Sequence, residues 1–159
     1  MTKALSEQLL ALATDKRLTV TTAESCTGGM VAAAITDIAG SSAIFERGFV
    51  TYSNQAKHDM LGVRTETLDA FGAVSEEVAR EMAEGARSAA NADIAVAISG
   101  IAGPGGSEFK PEGRVCFGWS STRGTGSETI EFGAIGRDKV RQASTEHALK
   151  ILVEIATLL

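Results

Sequence analysis

Three short stretches of this sequence bring together residue types that can do chemistry. The first is Thr22-Ala-Glu-Ser-Cys-Thr-Gly-Gly29, where a β-branched run passes into a small-residue run that reads as a helix. Ser25 then falls near a helix N-terminus, where free N–H groups and the helix dipole can bind a phosphate or stabilise an oxyanion. The competing use of the same geometry is plain capping of the helix by Ser25 or Thr27. Cys26 adjoins Ser25 at the same dipole, which lowers a thiol pKa and makes it a rival nucleophile. Adjacent residues at a helix start point in different directions, however, and neither His58 nor His147 is linked to Cys26 by spacing, so a buried, inert thiol is expected there, as for Cys116. Glu24 reads either as a proton-transfer group or as a structural carboxylate at the first helical turn.

The second stretch, Ser99-Gly-Ile-Ala-Gly-Pro-Gly-Gly106, follows the apolar run Ile94–Ile98. Gly100, Ala102, Gly103, Gly105 and Gly106 can bring backbone N–H groups close to an anion; the competing reading is a simple turn. In the third, Arg137 and Arg141 stand four apart at a helix start and project together, a spacing suited to clamping a phosphate. Neither glycine-rich stretch has P-loop or dinucleotide-fingerprint spacing, so no nucleotide motif can be claimed from them.

The elements that must position these residues follow from periodicity. Leu5, Leu9, Leu10 and Leu12 predict a helix over about 2–16, and Leu18–Thr22 a strand. Residues 27–39 predict a tightly packed helix, 44–53 a strand, and 54–61 a short helix with Asn54 as its N-cap. Ser75 caps an amphipathic helix carrying Glu76 and Glu77 in its first turn. The run 94–98 is the kind of strand buried on both faces of an α/β sheet. Strands near 114–122 and 129–134 precede a last helix over about 137–158. Helices alternating with strands predict an α/β fold, a three-layer α/β/α sandwich whose central sheet is mostly parallel, or mixed if the strands after residue 113 pair as a hairpin. Ligands in such sheets collect at the carboxyl ends of the strands, where both glycine-rich stretches lie.

At 159 residues, with 44% hydrophobic and 22% charged residues, the chain is expected to form one domain over 1–159 with an ordinary buried core. Two widely separated cysteines without CxxC or Cys/His spacing argue against a disulfide framework and a structural zinc site, and a reducing cytoplasmic setting fits. A formal charge of −5 without a basic run argues against nucleic-acid binding. Glu7 and Asp15 interrupt the N-terminal apolar pattern, so neither a signal peptide nor a membrane span is expected.

The segments TTAESCTGG, ITDIAGSS, FERGFVTYSNQAKHDMLGV, GAVSEEVA and SGIAGPGGS, in this order, closely resemble the CinA C-terminal-domain family, the nicotinamide-nucleotide amidohydrolases or NMN deamidases. The resemblance covers nearly the whole chain and starts at its first residues, so the stand-alone form is expected. It implies hydrolysis of the carboxamide of nicotinamide mononucleotide to nicotinic acid mononucleotide and ammonia, by serine chemistry with no metal and no cofactor, in pyridine nucleotide recycling. Carried onto matching positions, Ser25 becomes the nucleophile, Lys57 its general base, and Tyr52 a neighbour that orients or relays a proton. A lysine can serve as base only if burial or nearby positive charge lowers its pKa, so Lys57 must be desolvated. The ordinary fate of a lysine on a short helix is a solvated one. For Tyr52 the alternative is a strand aromatic with a satisfied hydroxyl. Backbone donors at Cys26 to Gly28 are expected to receive the oxyanion. Thr27, Gly28, Gly29, Gly100, Ala102, Gly103, Arg137 and Arg141 are expected to contact the substrate.

Two positions depart from the family pattern. Ile135-Gly136 replaces a common Gly-Asp before the first arginine, which removes an expected carboxylate. Glu112 stands where a small apolar residue is common. The resemblance also implies a homo-oligomer, expected to be a dimer, acting on a small molecule in the cytoplasm. Competing readings are a silent nucleotide-binding module and a competence-associated interaction protein.

Overall fold

β3 (Ile94–Gly100) runs through the middle of a five-stranded sheet, and its two faces show how the layers are set. Ile94, Val96 and Ile98 project into one core, while Ala95 and Ala97 project into the other. That alternation is the period-2 pattern of a strand buried on both sides. In the computed structural model, which describes residues 1–107 and 109–159, the sheet order is β2-β1-β3-β4-β5. β1 (Val20–Glu24) pairs in parallel with both β2 (Phe49–Val50) and β3. β4 (Arg114–Ser121) and β5 (Gly124–Glu131) form an antiparallel hairpin against β3. The sheet is therefore mixed, the outcome expected if the last two strands pair with one another.

The large side chains of β1, β3 and β4 pack against α1 (Thr2–Lys16), α2 (Met30–Thr36) and α6 (Arg137–Leu158). Burying each of these β-branched and aromatic side chains contributes about 2 kcal/mol, so this face carries most of the apolar stabilisation. The opposite face is small, and α5 (Glu76–Ala90) lies close on it. Gly118 is what that approach requires: a Cβ there would sit 2.2 Å from the carbonyl oxygen of Ala79. α3 (Asn54–Leu61) and α4 (Thr65–Phe71) pack in turn on α5. Gly85 lets α3 come in, since a Cβ at Gly85 would fall 1.8 Å from the carbonyl oxygen of Leu61.

The regular parts match the periodicity closely, and the differences have local causes. The expected strand over 44–53 contracts to Phe49–Val50 plus a single bridge from Phe45 to Val20. The helix expected from Thr27 begins only at Met30, because Gly28 and Gly29 take left-handed backbone angles of φ 58° and 109°. Ser53, not Asn54, caps α3, its hydroxyl accepting from the Ala56 N–H at 3.0 Å. Ser75 caps α5 as expected. α4 carries too short and too polar a pattern to have been read as a helix. β5 starts at Gly124, earlier than expected, because the turn after Ser121 is tight.

Candidate active site

The carboxyl ends of β1, β2 and β3 meet at one edge of the sheet, and the Ser25 segment leaves β1 there. The Ser25 N–H still donates to Ile98 O at 2.9 Å, so the strand ladder holds its backbone one residue beyond β1. The segment then turns sharply into α2, and Glu24 closes that turn. Its fully buried carboxylate accepts from the N–H groups of Gly29 (3.2 Å), Val31 (2.9 Å) and Ala32 (3.0 Å). Glu24 is thus the structural carboxylate of the first turn, and it occupies the α2 N-terminus that the sequence offered to a phosphate. Gly28 N–H is also taken, donating to Ser25 O at 3.0 Å. Among the described residues, the N–H groups of Cys26 and Thr27 bond no other residue; Thr27 is fully buried, which leaves the Cys26 N–H as the donor open beside Ser25.

Lys57 enters the same spot from α3 and is 1% exposed. Its Nζ lies 3.0 Å from Ser25 Oγ, 2.9 Å from Thr51 O and 3.4 Å from Tyr52 O. No carboxylate pairs with it among the described residues. Burial without a counter-ion disfavours the ammonium and brings its pKa down from 10.5 to about 8. At pH 7 about one molecule in ten then holds the neutral amine. A neutral amine has two N–H bonds and one lone pair. The two carbonyls take the N–H bonds, and the lone pair is left for the Ser25 hydroxyl proton.

Cys26 does not compete. Desolvation pushes its thiol up to about 11, outweighing the nearby Lys57 and Arg141 charges, so it stays protonated at neutral pH. Cys116 is raised for the same reason and lies in β4, where its sulfur contacts the Thr129 hydroxyl. Neither histidine reaches the site: His58 bonds the Val63 carbonyl and His147 pairs with Glu128.

The serine and lysine open into a cavity of about 320 Å³, whose far wall is the loop after β3. Gly100, Ala102 and Gly103 line it, as do Ser99, Ala73 and Val74, which lie in the quoted motifs but were given no site role there. Gly105 N–H, one of the expected loop donors, is instead taken by the Glu112 carboxylate. Glu112, the departure from the family pattern, thereby holds the glycine loop from beneath. The other departure leaves Gly136 as the N-cap of α6, with Asp138 supplying the acid in its first turn.

The two arginines part company. Arg137 lines the cavity and donates to Gly103 O at 2.7 Å and to Tyr52 Oη at 3.0 Å. Arg141 faces the back of the Ser25 segment, donating from Nε to Cys26 O at 3.1 Å and from Nη2 to Thr27 O at 3.3 Å. Thr27, Gly28 and Gly29 likewise stand outside the cavity lining, with Thr27 fully buried. Tyr52 is 62% exposed; its hydroxyl meets Arg137, and the part of it beside Lys57 and Ser25 is its carbonyl. Charges on the cavity wall come from Lys57 and Arg137, with no carboxylate in the lining among the described residues. Such a wall favours an anionic ligand.

Fold and site together define a three-layer α/β protein in which a buried serine–lysine pair sits at the carboxyl ends of parallel strands. The chain belongs to the CinA C-terminal domain family, whose model matches residues 2–156. It is 60% identical over 149 residues to the nicotinamide-nucleotide amidohydrolase PncC of Escherichia coli K12, covering 93% of this chain and 90% of that protein. A CinA-like protein of Shewanella piezotolerans is 48% identical over 94% of this chain but only 36% of its own length. Among solved structures, a competence/damage inducible protein from Agrobacterium tumefaciens superposes with a TM-score of 0.93 at 48% identity, covering 96% of this chain and 94% of that one. A CinA superfamily protein from Klebsiella pneumoniae gives 0.94 at 37% identity, over 100% and 99%.

Proposed function

We propose that this protein is a nicotinamide-nucleotide amidohydrolase that converts nicotinamide mononucleotide to nicotinic acid mononucleotide and ammonia, with Ser25 as nucleophile and Lys57 as general base. The observation that carries the reading is the 3.0 Å contact between a buried, counter-ion-free Lys57 and Ser25 Oγ. The 60% identity to a protein of that name supports the substrate.

Neutral Lys57 takes the hydroxyl proton as Ser25 Oγ attacks the carboxamide carbon. Negative charge develops on the former carbonyl oxygen, and the N–H of Cys26, which lines the cavity, receives it; such a donor is typically worth about 3 kcal/mol. The Lys57 ammonium returns its proton to the leaving nitrogen, the C–N bond breaks, and ammonia departs from a Ser25 ester. Water then loses a proton to Lys57 and attacks the ester, and the Ser25 oxygen leaves with that proton. Thr51 and Tyr52 carbonyls hold the amine throughout. Arg137, placed by Gly103 O and Tyr52 Oη, faces the substrate phosphate, and the free N–H groups of the 100–106 loop take the remaining polar edge. The steps use protein groups and water alone. The two cysteines are free and buried, which fits the reducing cytoplasm proposed as the working compartment. A homodimer is the working form proposed, as the family resemblance implies.

The test is to incubate the purified protein with nicotinamide mononucleotide and follow ammonia and the acid product, with Ser25→Ala alongside. Turnover abolished by the substitution supports the reading. Tight binding of the nucleotide with no turnover by the unsubstituted protein overturns it in favour of a silent binding module.

A further inference from the structure

Arg141 is a half-buried guanidinium with no carboxylate partner among the described residues, and both of its bonds go to backbone carbonyls of the segment that follows Ser25. Its position is firm: it lies one turn into α6, whose helical backbone is itself braced there by Thr145 Oγ1 donating to Arg141 O at 2.8 Å. A trans peptide is planar, so its C=O and N–H point in opposite directions. Cys26 O and the Thr27 N–H belong to one such plane. Holding Cys26 O from the α6 side at 3.1 Å therefore turns the Thr27 N–H away from Arg141. The next plane is pinned at both ends: Thr27 O accepts from the Met30 N–H at 3.0 Å and from Arg141 at 3.3 Å, and Gly28 N–H donates to Ser25 O at 3.0 Å. Gly28 suits this turn, since its φ is 58° and a Cβ would sit 3.3 Å from Arg141 Nη2, which would have to shift by a few tenths of an ångström.

Resting on the serine reading above, we propose that Arg141 is a positioning residue for attack by Ser25: by holding Cys26 O and Thr27 O from the α6 side it fixes the backbone that carries Ser25 and sets the cavity-lining Cys26 N–H toward the developing oxyanion. It touches neither substrate nor Ser25 Oγ. Its pairing with Arg137 in sequence suggested a shared phosphate clamp, but the two guanidinium groups serve different walls of the cavity. Arg137 holds the glycine loop and Arg141 holds the nucleophile segment, so one helix end sets the distance between them.

The experiment compares wild type with Arg141→Ala and Arg141→Lys in two assays: turnover of nicotinamide mononucleotide, and acylation of Ser25 by p-nitrophenyl acetate, which carries no phosphate. Removing an oxyanion donor outright costs about 100- to 1,000-fold. Misaiming one is expected to cost about 10- to 100-fold in kcat and in the acylation rate, with KM changed less than about threefold, the lysine variant lying between. Added guanidinium ion is expected to restore part of the alanine variant's rate in both assays. A raised KM with unchanged ester acylation makes Arg141 a phosphate ligand and overturns the proposal. So do unchanged rates in both assays, or a loss that guanidinium does not rescue and that tracks a lowered melting temperature. If the wild type acylates on Ser25 but leaves the mononucleotide intact, the substrate reading falls, and an acylation defect in Arg141→Ala still upholds this inference.

Discussion

Replacing Lys57 with Met is expected to make the protein more stable at neutral pH while removing its activity. The magnitude follows from the environment of Nζ. Lys57 is 1% exposed and unpaired, and its pKa falls from 10.5 to about 8 on folding. At about 1.36 kcal/mol per pH unit, keeping the ammonium buried at pH 7 costs the fold about 3 kcal/mol. Methionine fills a similar volume without that charge, but leaves the carbonyls of Thr51 and Tyr52 short of a donor, at about 1 kcal/mol each. The net expectation is a gain of about 1 kcal/mol at pH 7. The pH dependence is the sharper signature. The folded lysine gives up its proton near pH 8 and the unfolded one only near 10.5, so between these values the unfolded state binds more protons and wild-type stability rises with pH. The penalty is fully present below pH 8 and gone above about 10.5. Lys57→Met lacks this term, so its advantage should shrink from pH 8 upward and reverse by about pH 10. Urea unfolding of both proteins at several pH values between 7 and 10 measures the difference directly. A variant less stable than wild type at pH 7, with a difference that does not change with pH, would refute the claim that a charged Lys57 is held at a cost.

Two further outcomes follow from the same geometry. Because only the neutral amine can accept the Ser25 proton, kcat/KM should rise with pH through a midpoint near 8; a flat profile between pH 6.5 and 9.5 would show that Lys57 is not the base. Gly85→Ala places a Cβ 1.8 Å from Leu61 O and must push α3 away from α5, so a loss of about 1–3 kcal/mol in stability is expected together with a lowered kcat, since α3 carries Lys57. Normal activity in that variant would mean that the α3–α5 approach does not set the Lys57 position.

Much of the fold was legible because its long elements state their own periodicity. The leucines of α1, the cap and apolar stripe of α5, and the uninterrupted run of β3 each specify one solution. What escaped were places where a tertiary contact overrides local pattern. Glu24 reaches across the turn to bond three N–H groups, and with two left-handed glycines it delays α2 to Met30. The sequence offered Glu24 as a first-turn carboxylate, but no local rule says that it fills the helix N-terminus from five residues upstream. The site shows the same division. A strand-end serine and a glycine loop were readable as chemistry. The burial of Lys57 was expected only through the family resemblance, because Asn54–Leu61 is polar on balance and a lysine there looks solvated; α5 behind it, admitted by Gly85, makes the difference. Spacing correctly put Arg137 and Arg141 on one helix end, but a four-residue interval cannot say that one guanidinium faces the cavity and the other the back of the nucleophile segment.

The central claim is that Ser25 Oγ, activated by Lys57, forms a covalent ester with the substrate acyl group. Acid-quenching the protein within its first turnovers on nicotinamide mononucleotide and mapping the modified peptide by mass spectrometry tests this most directly, because Ser25 and Cys26 are adjacent and fragment ions separate them. The account predicts an adduct equal to the substrate less ammonia on Ser25, unchanged in site by Cys26→Ala and absent from Ser25→Ala. Such an adduct on Cys26, or steady turnover by Ser25→Ala, would contradict it.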